Sequence, residues 1–247
     1  MDVAILTVGD ELLAGDTENT NASWLARQLT ERGASVTRIL VVPDDTDVIV
    51  EYLREWRDRF DAVVATGGLG GTHDDVTMRA VAEAFDVELT VQGSVLTDVT
   101  ETARAYAESN PDVVDEYDLD LDLEAWAALP DGARPLDNPA GLAPGCVVGD
   151  VYVLPGVPEE MRAVFDGVAD EFGGDVTSTA LYTPAPEGAL TEQLSAANDR
   201  FDVAIGSYPS PADQPTRVKV TGTDADEVAA AAAWLRSELD VIEQVGE

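Results

Sequence analysis

Lysine is almost absent from this chain. Lys219 is the only one, and the basic residues together number 14 against 49 acidic ones, a net charge of −35. With no basic stripe to neutralise phosphates, the surface speaks against nucleic acid as a partner. The acids are spread along the whole sequence and alternate with regular apolar periods, so this is not the composition of a disordered acidic protein. A folded chain with this much self-repulsion needs screening, which high ionic strength supplies. The expectation is a halophilic source. Cysteine occurs once, as Cys146. It has no disulfide partner within the chain, which fits a reducing cytoplasm, and one cysteine makes no metal site. A small buried hydrophobe is its expected role. No apolar run approaches the roughly 18 residues of a transmembrane helix, so no membrane association is expected. The opening MDVAILTVGDE has no basic residues ahead of its apolar run and reads as a first strand, not a signal peptide.

Glycine, by contrast, is concentrated. Gly67, Gly68, Gly70 and Gly71 stand close together between two periodic segments. Before them lies an apolar run, Ala62 to Ala65, of the buried parallel-strand type. After them Met78, Val81, Ala82 and Phe85 recur at helical spacing. Strand, glycine turn and helix start are the parts of a phosphate cradle, because glycine lets backbone N–H groups approach an anion and the helix N-terminus adds partial positive charge. Gly67, Gly68, Leu69, Gly70, Gly71 and Thr72 are therefore candidate ligand-binding residues. Asp74 and Asp75 follow at once, and carboxylates there would repel a phosphate unless a divalent cation lay between. The alternative is local: Thr72 with Asp75 also matches a capping box, in which both serve only the helix. The stretch is neither GxGxxG nor GxxxxGK[ST], and no lysine follows it, so an ATPase P-loop is ruled out.

Around this stretch the elements alternate. Val3 to Val8 and Val36 to Val42 are strand-like runs. A helix follows the first from Asn19 or Thr20, with Ala22, Leu25, Ala26 and Leu29 on its apolar face, and another follows the second from Thr46 to Phe60. The order is βαβαβα, an α/β class with a mostly parallel sheet and helices on both faces, giving three αβα layers. Ligands in such sheets sit at the carboxyl ends of strands, where Gly9-Asp10-Glu11, Asp44-Asp45 and the glycine stretch all fall. Leu12 to Asp16 reads as a loop or one turn, Gly93 to Ser109 as a helix or two, and Asp112 to Glu124 as a solvated acidic segment. Val147 to Val153 is a hairpin turning on Gly149-Asp150. Leu154 to Met161, LPGVPEEM, passes from strand to helix with Pro158 near the first helical position. At Phe172-Gly173-Gly174-Asp175 the pattern changes to βαββα, with a helix expected over Ala189 to Arg200. That order suits a small α+β domain. The expected division is 1–172 and 173–247.

Four segments, GDELLAGDTENTNASWLARQL, TGGLGGTHDDVT, NPAGLAPG and VLPGVPEEM, occur in the order and at about the spacing seen in the CinA family of the molybdopterin-binding (MoaB/Mog-type) fold superfamily. The chain resembles that family over nearly its whole length. The resemblance implies a first domain like the enzymes that adenylylate molybdopterin and insert molybdenum. Some CinA members are described as ADP-ribose pyrophosphatases. Longer members carry a nicotinamide mononucleotide deamidase domain, an activity not carried over here. By the same resemblance Asp75 matches an aspartate implicated in catalysis or metal binding. Asp44 matches an acidic position after the second strand, and Asp10 and Asn21 match the first polar cluster. Gly71 departs from the pattern, since the family usually has proline there. Related proteins form oligomers, which implies a homo-oligomer.

Together these expectations describe a metal-dependent pyrophosphatase acting on ADP-ribose or a similar nucleotide. Backbone N–H groups of Gly68 to Thr72 would hold a diphosphate, and Asp44, Asp74 and Asp75 would hold Mg²⁺ directly or through water. Asp10 or Glu11 would orient the attacking water, or else cap a turn. Gly156, Pro158 and Glu160 would close the far wall of the pocket, or else form only a rigid turn. The lone His73 is a hydrogen-bonded loop residue or a general acid. Adenylylation of molybdopterin, and capture of a nucleotide or pterin without turnover, are the competing readings.

Overall fold

The computed structural model describes residues 1–71, 75–110, 122–209 and 214–242. The chain forms two compact units, Met1–Leu29 with Ser35–Phe172, and Thr30–Ala34 with Gly173–Glu247.

The first unit is built on a six-stranded sheet. Its strands are β1 (Asp2–Val8), β2 (Ser35–Val42), β3 (Ala62–Thr66), β6 (Arg134–Leu136), β7 (Gly145–Val148) and β8 (Val151–Leu154), in the order β2-β1-β3-β8-β7-β6. β1 pairs in parallel with both β2 and β3, and β3 in parallel with β8. β8, β7 and β6 are antiparallel to one another. β3 is buried at every position and β1 at all but its first, which is why both read as unbroken apolar runs. The hairpin between β7 and β8 turns on Gly149, at φ +55°. A separate short pair, β4 (Leu89–Val91) with β5 (Ala128–Pro130), lies outside the main sheet.

The helices cover this sheet with their apolar faces. Helix α2 (Thr20–Glu31) starts where Asn19 Oδ1 accepts the Ala22 N–H at 3.1 Å, and it buries Ala22, Leu25 and Leu29. Helix α3 (Thr46–Arg57) is capped by Asp45, whose carboxylate accepts the N–H groups of Asp47 and Val48. It ends before Phe60, whose N–H closes a turn onto the Trp56 carbonyl. Helices α4 (Thr77–Ala84) and α5 (Gly93–Ser109) follow. The expected acidic segment 112–124 falls mostly outside the described residues. Within them, Asp122 caps the one-turn helix α6 (Leu123–Trp126) by accepting the Ala125 N–H at 3.0 Å. Helix α7 (Pro158–Asp166) has its proline in the first turn and buries Met161, Val164 and Phe165. The segment expected as a loop or one turn, Leu12 to Asp16, holds the end of the short helix α1, Asp10–Ala14, closed by Gly15 at φ +78°.

The second unit carries a three-stranded antiparallel sheet, β10 (Ala204–Tyr208), β11 (Thr216–Gly222) and β9 (Thr177–Thr183), with β11 in the middle. Helices α8 (Thr191–Arg200) and α9 (Ala225–Glu238) cover one face, around a core of Leu181, Leu190, Val218, Val220, Val228, Ala231 and Leu235. The βαββα order is as expected. Helix α8 begins two residues later than the sequence suggests, because Glu187–Ala189 form a 3-10 turn ahead of it. No helix among the described residues is long and apolar enough to cross a membrane.

Candidate functional site

The carboxyl ends of β1, β2, β3 and β8 converge on one region of the first unit. Gly67 leaves β3 at φ +103°, and a Cβ there would lie 2.1 Å from the Val8 carbonyl oxygen. Only glycine lets the end of β3 pass this close to the end of β1. Two buried threonine hydroxyls fasten the turn. Thr66 donates to the Pro155 carbonyl at 2.7 Å, and Thr77 donates to the Gly67 carbonyl at 2.8 Å. The Thr77 N–H adds a bond to the Gly68 carbonyl at 3.1 Å.

Asp75 does not cap α4. The residue ahead of that helix is Val76, whose side chain makes no cap hydrogen bond. The Asp75 Oδ1 instead accepts the Gly70 N–H at 2.6 Å, bracing the glycine turn from within. Asp75 stands two residues ahead of Thr77, the first helical residue, and so is not at the third helical position that a capping box with Thr72 would require. One N–H of the cradle expected over Gly68 to Thr72 is already engaged within the turn. The Gly70 N–H is taken by Asp75, and the Gly67 N–H bonds the Leu154 carbonyl at 3.2 Å. Thr72, His73 and Asp74 lie outside the described residues.

Asp44 stands at the end of β2, where its Oδ2 accepts the Asp10 N–H at 2.8 Å. Asp10 thus enters the site through its backbone, and it is Glu11 that lines the cavities. Asn21, on α2, is 8% exposed. Its Nδ2 donates to the Gly156 carbonyl at 2.7 Å, while its Oδ1 is buried without a hydrogen-bond partner. Glu160 is braced by the first residue of the NPAGLAPG segment, to which the sequence gave no individual role. Asn138 donates to Glu160 Oε2 at 2.6 Å and to the Ala143 carbonyl at 2.8 Å from the same nitrogen. The carboxylate lies against Gly141, where any Cβ would collide with it.

These groups border two neighbouring cavities that share Glu11, Gly68, Asp75 and Gly156. The smaller, about 230 Å³, has many polar side chains in its wall, among them Thr7, Glu18, Asn19, Asn21 and Asp44, together with Pro158. The larger, about 880 Å³, is lined by Leu69, Tyr106, Trp126, Leu142, Val157 and Glu160. Neither has an arginine, lysine or histidine among its described lining residues. Among the described residues no group of three or more His, Cys, Asp or Glu could hold a metal ion. Asp44 and Asp75 both face the smaller cavity.

A mostly parallel sheet whose strand ends open into two neighbouring cavities is an α/β architecture with a candidate ligand site in the place such sheets carry theirs. The comparison with known proteins is more specific. The chain belongs to the family of the probable molybdopterin binding domain, whose model matches residues 4–173. Residues 175–245 match a second model, the FAD synthase middle domain. A protein of Archaeoglobus fulgidus is 34% identical over 230 residues, spanning 92% of this chain and 93% of its own. A Pyrococcus furiosus protein is 37% identical over 246 residues, 96% of each chain. Among solved structures, CinA of Thermoplasma acidophilum, described as of unknown function, is 34% identical and superimposes with a TM-score of 0.60. That likeness covers 70% of this chain and 99% of CinA, in agreement with the motif resemblance.

Proposed function

We propose that the first unit binds a nucleotide or pterin diphosphate and hydrolyses the bond between its phosphates with the help of Mg²⁺. The observation that carries this reading is the pairing of Asp44 and Asp75 in a cavity with no basic side chain among its described lining residues. A phosphate in such a place needs a cation between it and the carboxylates. Mg²⁺ keeps most of its waters and takes only one or two carboxylates besides phosphate oxygens, so these two aspartates fit its demands. When bound it neutralises phosphate charge and lowers the pKa of a bound water.

The chain's own groups supply the rest. The N–H groups of Asp10 and Gly70 hold the two carboxylates in place. Glu11, which borders both cavities, is positioned to orient a water for attack on phosphorus. Asn21 Oδ1, buried without a partner, accepts an N–H or O–H from the ligand; left unpaired, such an atom costs about 1–3 kcal/mol. The larger cavity takes the ring. ADP-ribose is the first substrate to test, in a screen of nucleoside diphosphate compounds with Mg²⁺ in molar salt. Release of AMP that stops on chelation supports the proposal, and no release from any member of the screen refutes it. The family match over residues 4–173 favours a second reading, adenylylation of molybdopterin, which runs the same chemistry in the forming direction. ATP with molybdopterin, set against ADP-ribose, decides between them.

A further inference from the structure

Gly71, where the resembled family usually has proline, has a specific neighbour. A Cβ at this position would lie 2.6 Å from Nε1 and 2.8 Å from Cζ2 of Trp126. The indole rests against the backbone of the glycine turn because residue 71 has no side chain. Proline would add three ring carbons to that space. Trp126 ends the one-turn helix capped by Asp122 and is packed, half-buried, against the main core. It also lines the larger cavity with Leu69, Tyr106 and Leu142, and that cavity reaches Asp75 and Gly68 on the turn.

We infer that Gly71 and Trp126 act as a pair that selects ligands carrying a flat aromatic ring, with Trp126 as the stacking surface. The inference rests on the ligand site proposed above and names what fills its larger cavity. An indole held against main chain is restrained, and as part of the cavity wall it would give a ligand a surface to stack on; stacking tolerates any planar heterocycle, an adenine or a pterin alike. A sugar phosphate without a ring gains nothing from it. The pair also gives the departure from proline a consequence: the missing side chain admits the platform.

The test is calorimetric titration of the full chain with Mg²⁺ in molar KCl. The probes are ADP, inorganic diphosphate, and the phosphate-free adenosine and pterin. ADP should bind wild type more tightly than diphosphate does. Trp126→Leu, which keeps an apolar side chain but removes the flat ring, should weaken ADP on the order of tenfold or more and leave diphosphate unchanged. Trp126→Phe should recover most of the loss. Gly71→Ala should displace the indole and weaken ADP like Trp126→Leu, with no further loss in the double variant. Equal weakening of ADP and diphosphate in Trp126→Leu would make Trp126 a prop for the turn and overturn the inference. So would wild-type affinities that do not distinguish the two. Adenosine or pterin binding that depends on Trp126 without diphosphate binding would uphold the inference and sink the phosphate reading. Binding of none of the four probes would overturn both.

Discussion

Replacing Asp75 by asparagine separates two roles of one carboxylate. The first is mechanical: Oδ1 accepts the Gly70 N–H at 2.6 Å and closes the glycine turn. The second is charge, presented to the smaller cavity beside Asp44. Asparagine keeps an oxygen for Gly70 and loses the charge, whereas alanine loses both. A hydrogen bond to a charged acceptor is worth about 1.5–3 kcal/mol and a neutral one about 0.5–1.5 kcal/mol. The Asn variant should therefore lose about 1 kcal/mol and the Ala variant about 2 kcal/mol, since the bond is partly open to solvent. For a chain of this size 1 kcal/mol moves Tm by about 2–4 °C, so the two melts should be resolved from wild type and from each other. Turnover should fall by roughly 10² or more in both, on the scale of losing a principal electrostatic contact. A residue that only braces the turn behaves differently: the Asn variant stays active and only the Ala variant fails. The assay is a thermal melt paired with a Mg²⁺ titration of hydrolysis. An Asn variant with native turnover and unchanged Mg²⁺ dependence would refute the role in chemistry.

Tm should climb by many degrees between low and molar KCl, because the Debye length near 1 M is only about 3 Å and the repulsion behind a net charge of −35 is then screened; a Tm flat across that range would contradict it. Gly67→Ala, with its Cβ 2.1 Å from the Val8 carbonyl, should be far more damaging than Gly15→Ala, which meets nothing within 4 Å despite φ +78°. The second should cost only about 1 kcal/mol in a urea melt, and equal losses would disprove the crowding at Gly67. Burial pushes the Cys146 thiol up to about 12, so native protein should resist alkylation at pH 8 and react once unfolded. The fold favours the neutral thiol, so this contribution to stability is complete below the ordinary value of 9.0 and disappears as pH rises towards about 12. Rapid labelling of the native state would rule out that burial.

The alternating βα order and the strand ends bearing Asp44 and Asp75 were legible because β1 and β3, buried on both faces, leave unbroken apolar runs, β2 keeps an apolar run at the sheet edge, and all three end in polar turns. What Asp75 does was not legible. The spacing from Thr72 suits a capping box, but α4 starts at Thr77, and the bond to Gly70 depends on how the glycines fold back. Asp10 and Glu11 could not be told apart either. The chain enters a helix at Asp10, and successive helical residues point about 100° apart. Asn138 opens the NPAGLAPG segment but nothing there names its partner, and Trp126 gave no local signal. One braces Glu160 and the other backs Gly71, each across a stretch of chain that only the folded sheet brings round. The strands at 89–91, 128–130 and 134–136 are three residues each, too short for alternation to show.

The absence of basic side chains among the described lining residues of the smaller cavity, on a chain of net charge −35, also bears on how fast a ligand arrives. An anion diffusing towards Glu11, Glu18, Asp44 and Asp75 moves up an electrostatic hill, the opposite of the steering that accelerates most nucleotide capture. At low ionic strength its association rate should fall below the unsteered range of about 10⁵–10⁶ M⁻¹s⁻¹, and added salt should raise it. A divalent cation feels the same field as a funnel. On the proposed reading, the productive encounter would be with a ligand already carrying its metal, a complex whose reduced charge meets the smallest barrier on the way in.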